Sequence, residues 1–275
     1  MVSTLQMLIL AVLQGVTELF PISSLGHSVL VPALLHWHID RSAPAFLPFL
    51  VVLHVGTASA LLLYFWRDWA RLLRGFAAAG GRPSNPESRL LWLLVIASIP
   101  AGLIGIVLEH RLRLLFGGFT IVAIWLGLNG LVLLAGDFLS RRQGALKLDR
   151  LSTGKALIIG VAQATALIPG MSRSGATVVA GLALGLDYEN AARFSFLMAT
   201  PIIGAAALLE IPKLFRHHIV IALGPIFMAG LVAGVAAYLS TWFLMRYFRD
   251  HEQQALRPFG LYCLVFAALA LLWRF

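Results

Sequence analysis

The sequence predicts an all-α polytopic membrane protein with six full transmembrane helices and two re-entrant helical hairpins in an inverted-topology repeat. Three observations predict it. First, 60% of the 275 residues are hydrophobic and only 12% are charged, about half the charged fraction of a soluble domain. Second, long apolar runs recur at 44–66, 90–108, 118–139, 189–209, 219–245 and 258–273. Most approach or exceed the roughly 20 residues a helix needs to cross a bilayer. A soluble core of this length could not hide so much apolar surface. Third, two further apolar segments are interrupted in the middle by polar residues, and most of the resulting halves are too short to span alone.

The first interrupted segment is 2–36, broken by PISSLGH at 21–27. The second is 154–187, broken by PGMSRSG at 169–175. Irregular backbone at membrane depth survives only where protein or a water-filled cavity covers it, so each segment reads as a re-entrant hairpin or a broken helix. Shifted by 149 residues, Gln14 falls on Gln163, Ser23 on Ser172, Gly26 on Gly175 and Ser28 on Thr177. Each interrupted segment is followed by three full-length apolar runs. The chain therefore reads as one membrane domain of two repeats, about 1–150 and 151–275.

Charge sets the expected orientation. If both interrupted segments return to the side they entered from, Arg67–Arg89, Arg141–Lys155 and Arg246–Arg257 share one side, with five, five and three Lys/Arg. Arg41, Arg111, Arg113, Lys213, Arg216 and Arg274 fall on the other. The positive-inside rule makes the richer side cytoplasmic. It also accounts for the net charge of +9 without a nucleic-acid partner. Three spans between the hairpins make them enter from opposite faces, the arrangement in which a site forms where repeats meet. No basic stretch precedes the first apolar segment, so a cleaved signal peptide is not expected. The single cysteine, Cys263, sits in an apolar run and reads as packing.

The chemistry concentrates in the two breaks. Gln14 and Glu18 are four apart and share a helix face. A carboxylate inside an apolar segment is costly and marks function by default. Pro21 stops the helix, Ser23 and Ser24 supply hydroxyls, Gly26 permits close approach, and His27 titrates near neutrality. In the second break Pro169-Gly170 sets a turn and Ser172 opens a half-helix as its N-cap. The free N–H groups and positive dipole end of a helix start make an anion site. Arg173 adds a planar fork suited to phosphate, and Ser174 and Thr177 lie close by. Together these groups suit phosphoryl transfer. A diphosphate carries more charge than Arg173 neutralises, so a divalent cation is expected, and oxygen ligands favour Mg²⁺ or Ca²⁺. No zinc-spaced Cys/His cluster and no Walker A motif occurs.

Lesser polar residues read differently. His54 lies in an apolar run, with packing at least as good a reading as a cavity. Glu109, His110 and Glu210 fall at span ends. Glu189 and Arg193 read as a helix-start ion pair, and Trp66 and Trp69 beside Arg67 as an interfacial belt.

QGVTE at 14–18 followed by PISSLGH at 21–27 resembles the (E/Q)xxxE segment and trailing serine and histidine of the undecaprenyl-diphosphate phosphatases, the bacitracin-resistance family. PGMSRSGAT at 169–177 matches that family's PGxSRSxxT motif in full. LHVGT at 53–57 and RFSFLMATP at 193–201 are also similar to family stretches. The resemblance covers nearly the whole chain. It implies a bacterial plasma-membrane hydrolase that removes the terminal phosphate of undecaprenyl diphosphate, recycling the lipid carrier for cell-wall polymers and conferring bacitracin resistance. It further implies inverted repeats with re-entrant hairpins, a site opening to the outer face, and dependence on a divalent cation.

On this resemblance the expected catalytic residues are Glu18, Ser24, His27 and Arg173. The substrate-binding set is Gln14, Ser23, Gly170, Ser172, Ser174 and Thr177, with Glu18 and Gln14 as metal ligands. The first position of (E/Q)xxxE is Gln14 here, which removes one charge from any two-carboxylate metal site. Ser24, His27 and a metal-bound water are all candidates for the attacking group. Membrane lipids and the polyprenyl diphosphate are the expected partners, and a homodimer is among the assemblies the sequence allows. The rival function is a lipid-carrier flippase or anion carrier, because broken helices in inverted repeats also build transporters. A purely structural membrane subunit is more distant, since it would not need Glu18, His27 and Arg173.

Overall fold

The computed structural model describes residues 3–37, 39, 46–115, 118–140, 146–216, 223–251 and 253–273. The first interrupted segment forms α1 (Thr4–Leu19) and α2 (Ser24–Leu34), packed against one another. Then come α3 (Phe46–Tyr64), α4 (Trp66–Ala78), α5 (Pro86–Leu115) and α6 (Phe119–Ser140). The second interrupted segment forms α7 (Thr153–Ala164), a 3₁₀ turn at Thr165–Leu167, and α8 (Arg173–Ala183). The chain closes with α9 (Tyr188–Arg216), α10 (Leu223–Asp250) and α11 (Arg257–Trp273). Among the described residues the β structure is a single isolated bridge between Leu146 and Leu186.

The molecule is apolar outside and polar within. Val95, Ile99, Leu103, Ile106 and Val107 on α5 and Ile121, Ile124, Leu128 and Leu131 on α6 are exposed. Gln14, Ser24, His27, Asn129, Gln163, Ser172 and Thr177 are buried. Water would reverse this partition, and lipid demands it. The protein is a multi-pass membrane protein. Among the described residues, Pro86–Val107, Phe119–Ser140 and Gly224–Asp250 are long and apolar enough to cross a bilayer. A fourth candidate is the bent pair Phe49–Tyr64 and Trp66–Ala78. The expectation of six full spans is thus met in part.

The bend is a feature that composition alone did not separate from a loop. Trp66 turns the chain by 73° into α4, whose Leu72 is buried while Arg67, Arg71 and Arg74 are exposed. Such a two-faced basic helix suits a membrane surface. The Arg67 guanidinium lies 5.4 Å from the Trp66 ring centroid. Arg193 of α9 does not form the expected pair with Glu189; it reaches across to Asp68 of α4, which also accepts from Arg71 at 2.6 Å. The tertiary partner wins because the Asp68 side chain is only 16% exposed, so its attraction is screened less than that of a pair along one helix face. The expectations for Glu109, His110 and Glu210 lie outside the described side chains.

Helix pairing follows small residues. α1 packs on α10 and α7 on α5. A Cβ on Gly15 would collide with the Ala233 carbonyl of α10, and one on Gly160 with the Ala97 carbonyl of α5. Close backbone approach of this kind drives association where lipid removes the hydrophobic force between helices. Likewise α3 packs on α10 and α9 on α5, while α6 packs on α11 and on α8. These contacts bring the two interrupted segments together at the centre.

Candidate active site

Both breaks end one helix and start the next with a serine cap. At the first, Pro21 leads into Ser23, whose φ of 69° is uncommon for a residue with a Cβ. That conformation folds the chain sharply, and the Ser23 hydroxyl accepts from the Gly26 N–H at 3.2 Å. Ser24 is thereby presented at the first turn of α2. At the second break, Gly170 takes a φ of 104° and lies so close to α6 that a Cβ would meet the Val122 carbonyl at 2.5 Å. The Ser172 hydroxyl accepts from the Gly175 N–H at 3.1 Å, the N-cap that the sequence implies. Arg173 is then the first residue of α8.

Glu18 joins the two breaks. Its Oε2 accepts from the Ser24 hydroxyl at 2.6 Å and from the Gln14 amide at 3.2 Å. Its Oε1 accepts from Arg173 Nη2 at 3.3 Å. The other terminal nitrogen of Arg173 donates to the Ser195 carbonyl at 3.3 Å. His54 brings Nε2 to 3.9 Å from Glu18 Oε2, and its Nδ1 lies 2.8 Å from the Leu50 carbonyl. Because a carbonyl only accepts, Nδ1 carries a proton and Nε2 is left facing Glu18.

These groups line one cavity of about 400 Å³. Glu18, Ser23, Ser24, His54, Gln163, Ser172 and Arg173 supply most of its polar lining. Leu25, Leu50, Val51, Ala101, Leu167, Ile202 and Ile203 supply much of its apolar wall. A cluster of a carboxylate, a hydroxyl and a guanidinium at a helix start, walled by hydrocarbon, can hold an anionic head that carries an apolar tail. It can also activate a hydroxyl, since a 2.6 Å bond to a carboxylate draws the proton away from oxygen.

The expected residues divide accordingly. Glu18, Ser23, Ser24, Ser172 and Arg173 line the cavity, and Gln14 reaches Glu18 from behind it. The structure does not bring His27 there. Its ring is 1% exposed, stacked on Tyr262 and Phe266. Nδ1 lies 2.7 Å from the Ser23 carbonyl and Nε2 2.8 Å from the Tyr262 hydroxyl. Both ring nitrogens of His27 are thus engaged by Ser23 and Tyr262, and the ring lies outside the cavity lining. Ser174 and Thr177 also turn inward. Ser174 donates to the Phe20 carbonyl at 3.2 Å. Thr177 bonds the Arg173 carbonyl at 2.8 Å and the Ser195 hydroxyl at 2.7 Å. Gly170 serves as the close-packed turn, away from the cavity lining.

One residue that sequence reasoning passed over ties the breaks together. Asn129, fully buried on α6, donates to the Pro21 carbonyl at 2.9 Å and accepts from the Ser172 N–H at 3.0 Å. Each partner is a backbone group freed by a helix break, and an unpaired buried one is expensive. The signal was available, because Asn129 is the one amide side chain within the apolar run 118–139. Asn129→Leu should lower stability in detergent by about 2–5 kcal/mol, as two buried backbone groups lose their partner. Thermal unfolding checks this, and an unchanged Tm would contradict it.

Comparison with known proteins identifies the family. A family model described as "Bacitracin resistance protein BacA" matches residues 7–269. Similar proteins include "Undecaprenyl-diphosphatase 2" of Chromobacterium violaceum, 56% identical over 99% of both chains. "Undecaprenyl-diphosphatase" of Acidiphilium cryptum is 52% identical over 95% of both. "Undecaprenyl-diphosphatase 2" of Burkholderia thailandensis is 51% identical over 96% of this chain and 94% of its own. The chain belongs to the bacitracin resistance protein BacA family.

Proposed function

We propose that this protein hydrolyses undecaprenyl diphosphate to undecaprenyl phosphate and inorganic phosphate, and that Ser24 is the attacking group. The observation that carries this reading is the 2.6 Å hydrogen bond from the Ser24 hydroxyl to Glu18, whose other oxygen meets Arg173. The names of the relatives support the substrate.

Arg173 and the N–H groups at the start of α8 hold the terminal phosphate and stabilise the charge that builds in the transition state. Glu18 takes the Ser24 proton as the oxygen attacks phosphorus. The new Ser–O–P bond forms as the bridging P–O bond breaks, and undecaprenyl phosphate leaves. Glu18 gives the Ser24 proton to the departing undecaprenyl phosphate. Water then attacks the phosphoserine and passes a proton to Glu18. The Ser24 O–P bond breaks, Glu18 returns the proton to the Ser24 oxygen, and phosphate departs. His54 stands beside Glu18 as a second proton acceptor. His27 is a positioning residue that fixes the Ser23 carbonyl and so the start of α2. Glu18 and Gln14 offer oxygen donors of the kind that suits Mg²⁺ or Ca²⁺. Among the described residues no three His, Cys, Asp or Glu side chains form a metal cluster, so the diphosphate itself would complete the shell. Such a cation would neutralise phosphate charge that Arg173 alone leaves unbalanced. The released carrier would re-enter cell-wall synthesis, and its faster recycling would confer resistance to bacitracin.

The same reading extends to topology: two inverted repeats, each with a re-entrant hairpin and three spans, and a site opening to the outer face. The exchanged pairings support it, since α1 with α10 and α7 with α5 swap repeats, as do α3 with α10 and α9 with α5. The charge bias of the loops supports the orientation.

Purified protein should release phosphate from undecaprenyl diphosphate, and a brief reaction quenched in acid should leave phosphate on Ser24. Ser24→Ala should reduce turnover by about 100-fold or more while the protein stays folded, and Glu18→Gln should reduce it as far at a cost in stability. Phosphate mapped to another side chain would move the nucleophile, and lipid binding without phosphate release would favour a carrier. Exhaustive chelation should stop turnover and Mg²⁺ or Ca²⁺ restore it; turnover that survives chelation contradicts the cation. In a Cys263→Ala background, cysteine at Ser84 should label from the cytoplasm and cysteine at Gly118 only from outside. Labelling of both from one side rules out the inverted repeat.

A further inference from the structure

Gln163, near the end of α7, is 2% exposed, lines the same cavity as Glu18 and Arg173, and has among the described residues no hydrogen-bond partner for either its amide nitrogen or its amide oxygen. Buried amides almost always find partners, and leaving one unpaired costs more than an apolar side chain of equal size. The repeat shows how the partner was lost. Gln163 lies 149 residues after Gln14, which donates to Glu18 four residues on at 3.2 Å. The position four residues after Gln163 is Leu167, which lines the cavity as hydrocarbon. One repeat thus uses its glutamine to hold the catalytic carboxylate, and the other leaves its glutamine in the cavity wall with nothing to hold. Arg173 Nε in the same cavity wall is also buried without a partner among the described residues. The unmet groups are mainly N–H donors, two on the Gln163 amide and one on Arg173. Donors left over at a cationic helix start are complementary to phosphate oxygens.

We infer that Gln163 is a substrate-binding residue that donates its amide hydrogens to the diphosphate, beside the Arg173 guanidinium. This rests on the reading that the cavity takes a polyprenyl diphosphate. It goes beyond the paired motifs, because Gln163 lies outside both of the segments that resemble the family's signature. The amide carries no charge, so it adds directional bonds without the desolvation cost of a second cation in the bilayer.

The test is Gln163→Met, close to the same shape without the polar atoms, in the purified full-length protein. KM for undecaprenyl diphosphate should rise about tenfold or more, the loss of a hydrogen bond to a charged group, with kcat within a few-fold. Without substrate, Tm should be unchanged or higher, because the variant removes an unpaired buried amide. Gln163→Glu should raise KM further than Met, since it sets a carboxylate against the phosphate. A KM within twofold of wild type for both variants would overturn the inference, and so would a fall in substrate-free Tm for Gln163→Met, which marks a structural role. Inorganic pyrophosphate separates this inference from the activity itself. If pyrophosphate raises the wild-type Tm and fails to raise that of Gln163→Met, Gln163 binds a diphosphate. That result would stand even if the wild type released no phosphate from the lipid, an outcome that would count against the proposed hydrolysis alone.

Discussion

The Glu18 carboxylate is the constraint on which the rest of the structure depends. It lies in a helix whose surroundings are hydrocarbon and protein, where an unpaired charge costs several kcal/mol or more. Its two oxygens divide the work of pairing it. One takes Ser24 and Gln14 from its own segment, and the other takes Arg173 from the opposite one. Among the described residues neither charge has another ionic partner as near, since His54 stands off at 3.9 Å. Removing one member of such a buried pair typically costs about 3–5 kcal/mol. The pair therefore locks together two segments that local sequence keeps apart, and the polar cavity exists because they meet.

The breaks that make the meeting possible create their own debt of unpaired backbone groups. Each is met by short side chains close at hand. Ser23 and Ser172 cap their helices, Ser174 bonds the Phe20 carbonyl, and Asn129 spans from the Pro21 carbonyl to the Ser172 N–H. His27 and Tyr262 brace the first break from behind. The left-handed Ser23 is consistent with this over-determined setting, because a residue in that conformation persists only where neighbours hold it. The polar residues around the site thus fall into two groups. Some face the cavity and are available for chemistry, and others satisfy the backbone so that the first group stays in place.

That division explains what was legible in the sequence. The breaks at Pro21 and Pro169-Gly170, the cap at Ser172 and the meeting of Glu18 with Arg173 follow from local rules: proline, glycine, N-cap preference and the cost of charge in lipid. Which way each polar side chain turns does not. His27 and Thr177 share their motifs with Ser24 and Arg173, yet rotation about the short helices carries them inward. His54 and Gln163 lie outside the breaks on α3 and α7, and packing against α1 and α8 turns them into the cavity. Asn129 was visible as a single amide in an apolar run, but its two partners sit 108 and 43 residues away. The 73° turn at Trp66 was likewise hidden, because apolar run and basic stretch join without a proline or glycine.

The most direct test of the account is a double-mutant cycle on the pair that joins the breaks. Unfolding free energies in detergent would be measured for wild type, Glu18→Gln, Arg173→Gln and the double variant. The account predicts that each single variant is strongly destabilised and that the double variant is more stable than their sum by about 1–3 kcal/mol, the coupling expected of a buried contact. Strict additivity within about 0.5 kcal/mol would mean that the two charges do not feel each other, and would contradict a single site assembled from both interrupted segments.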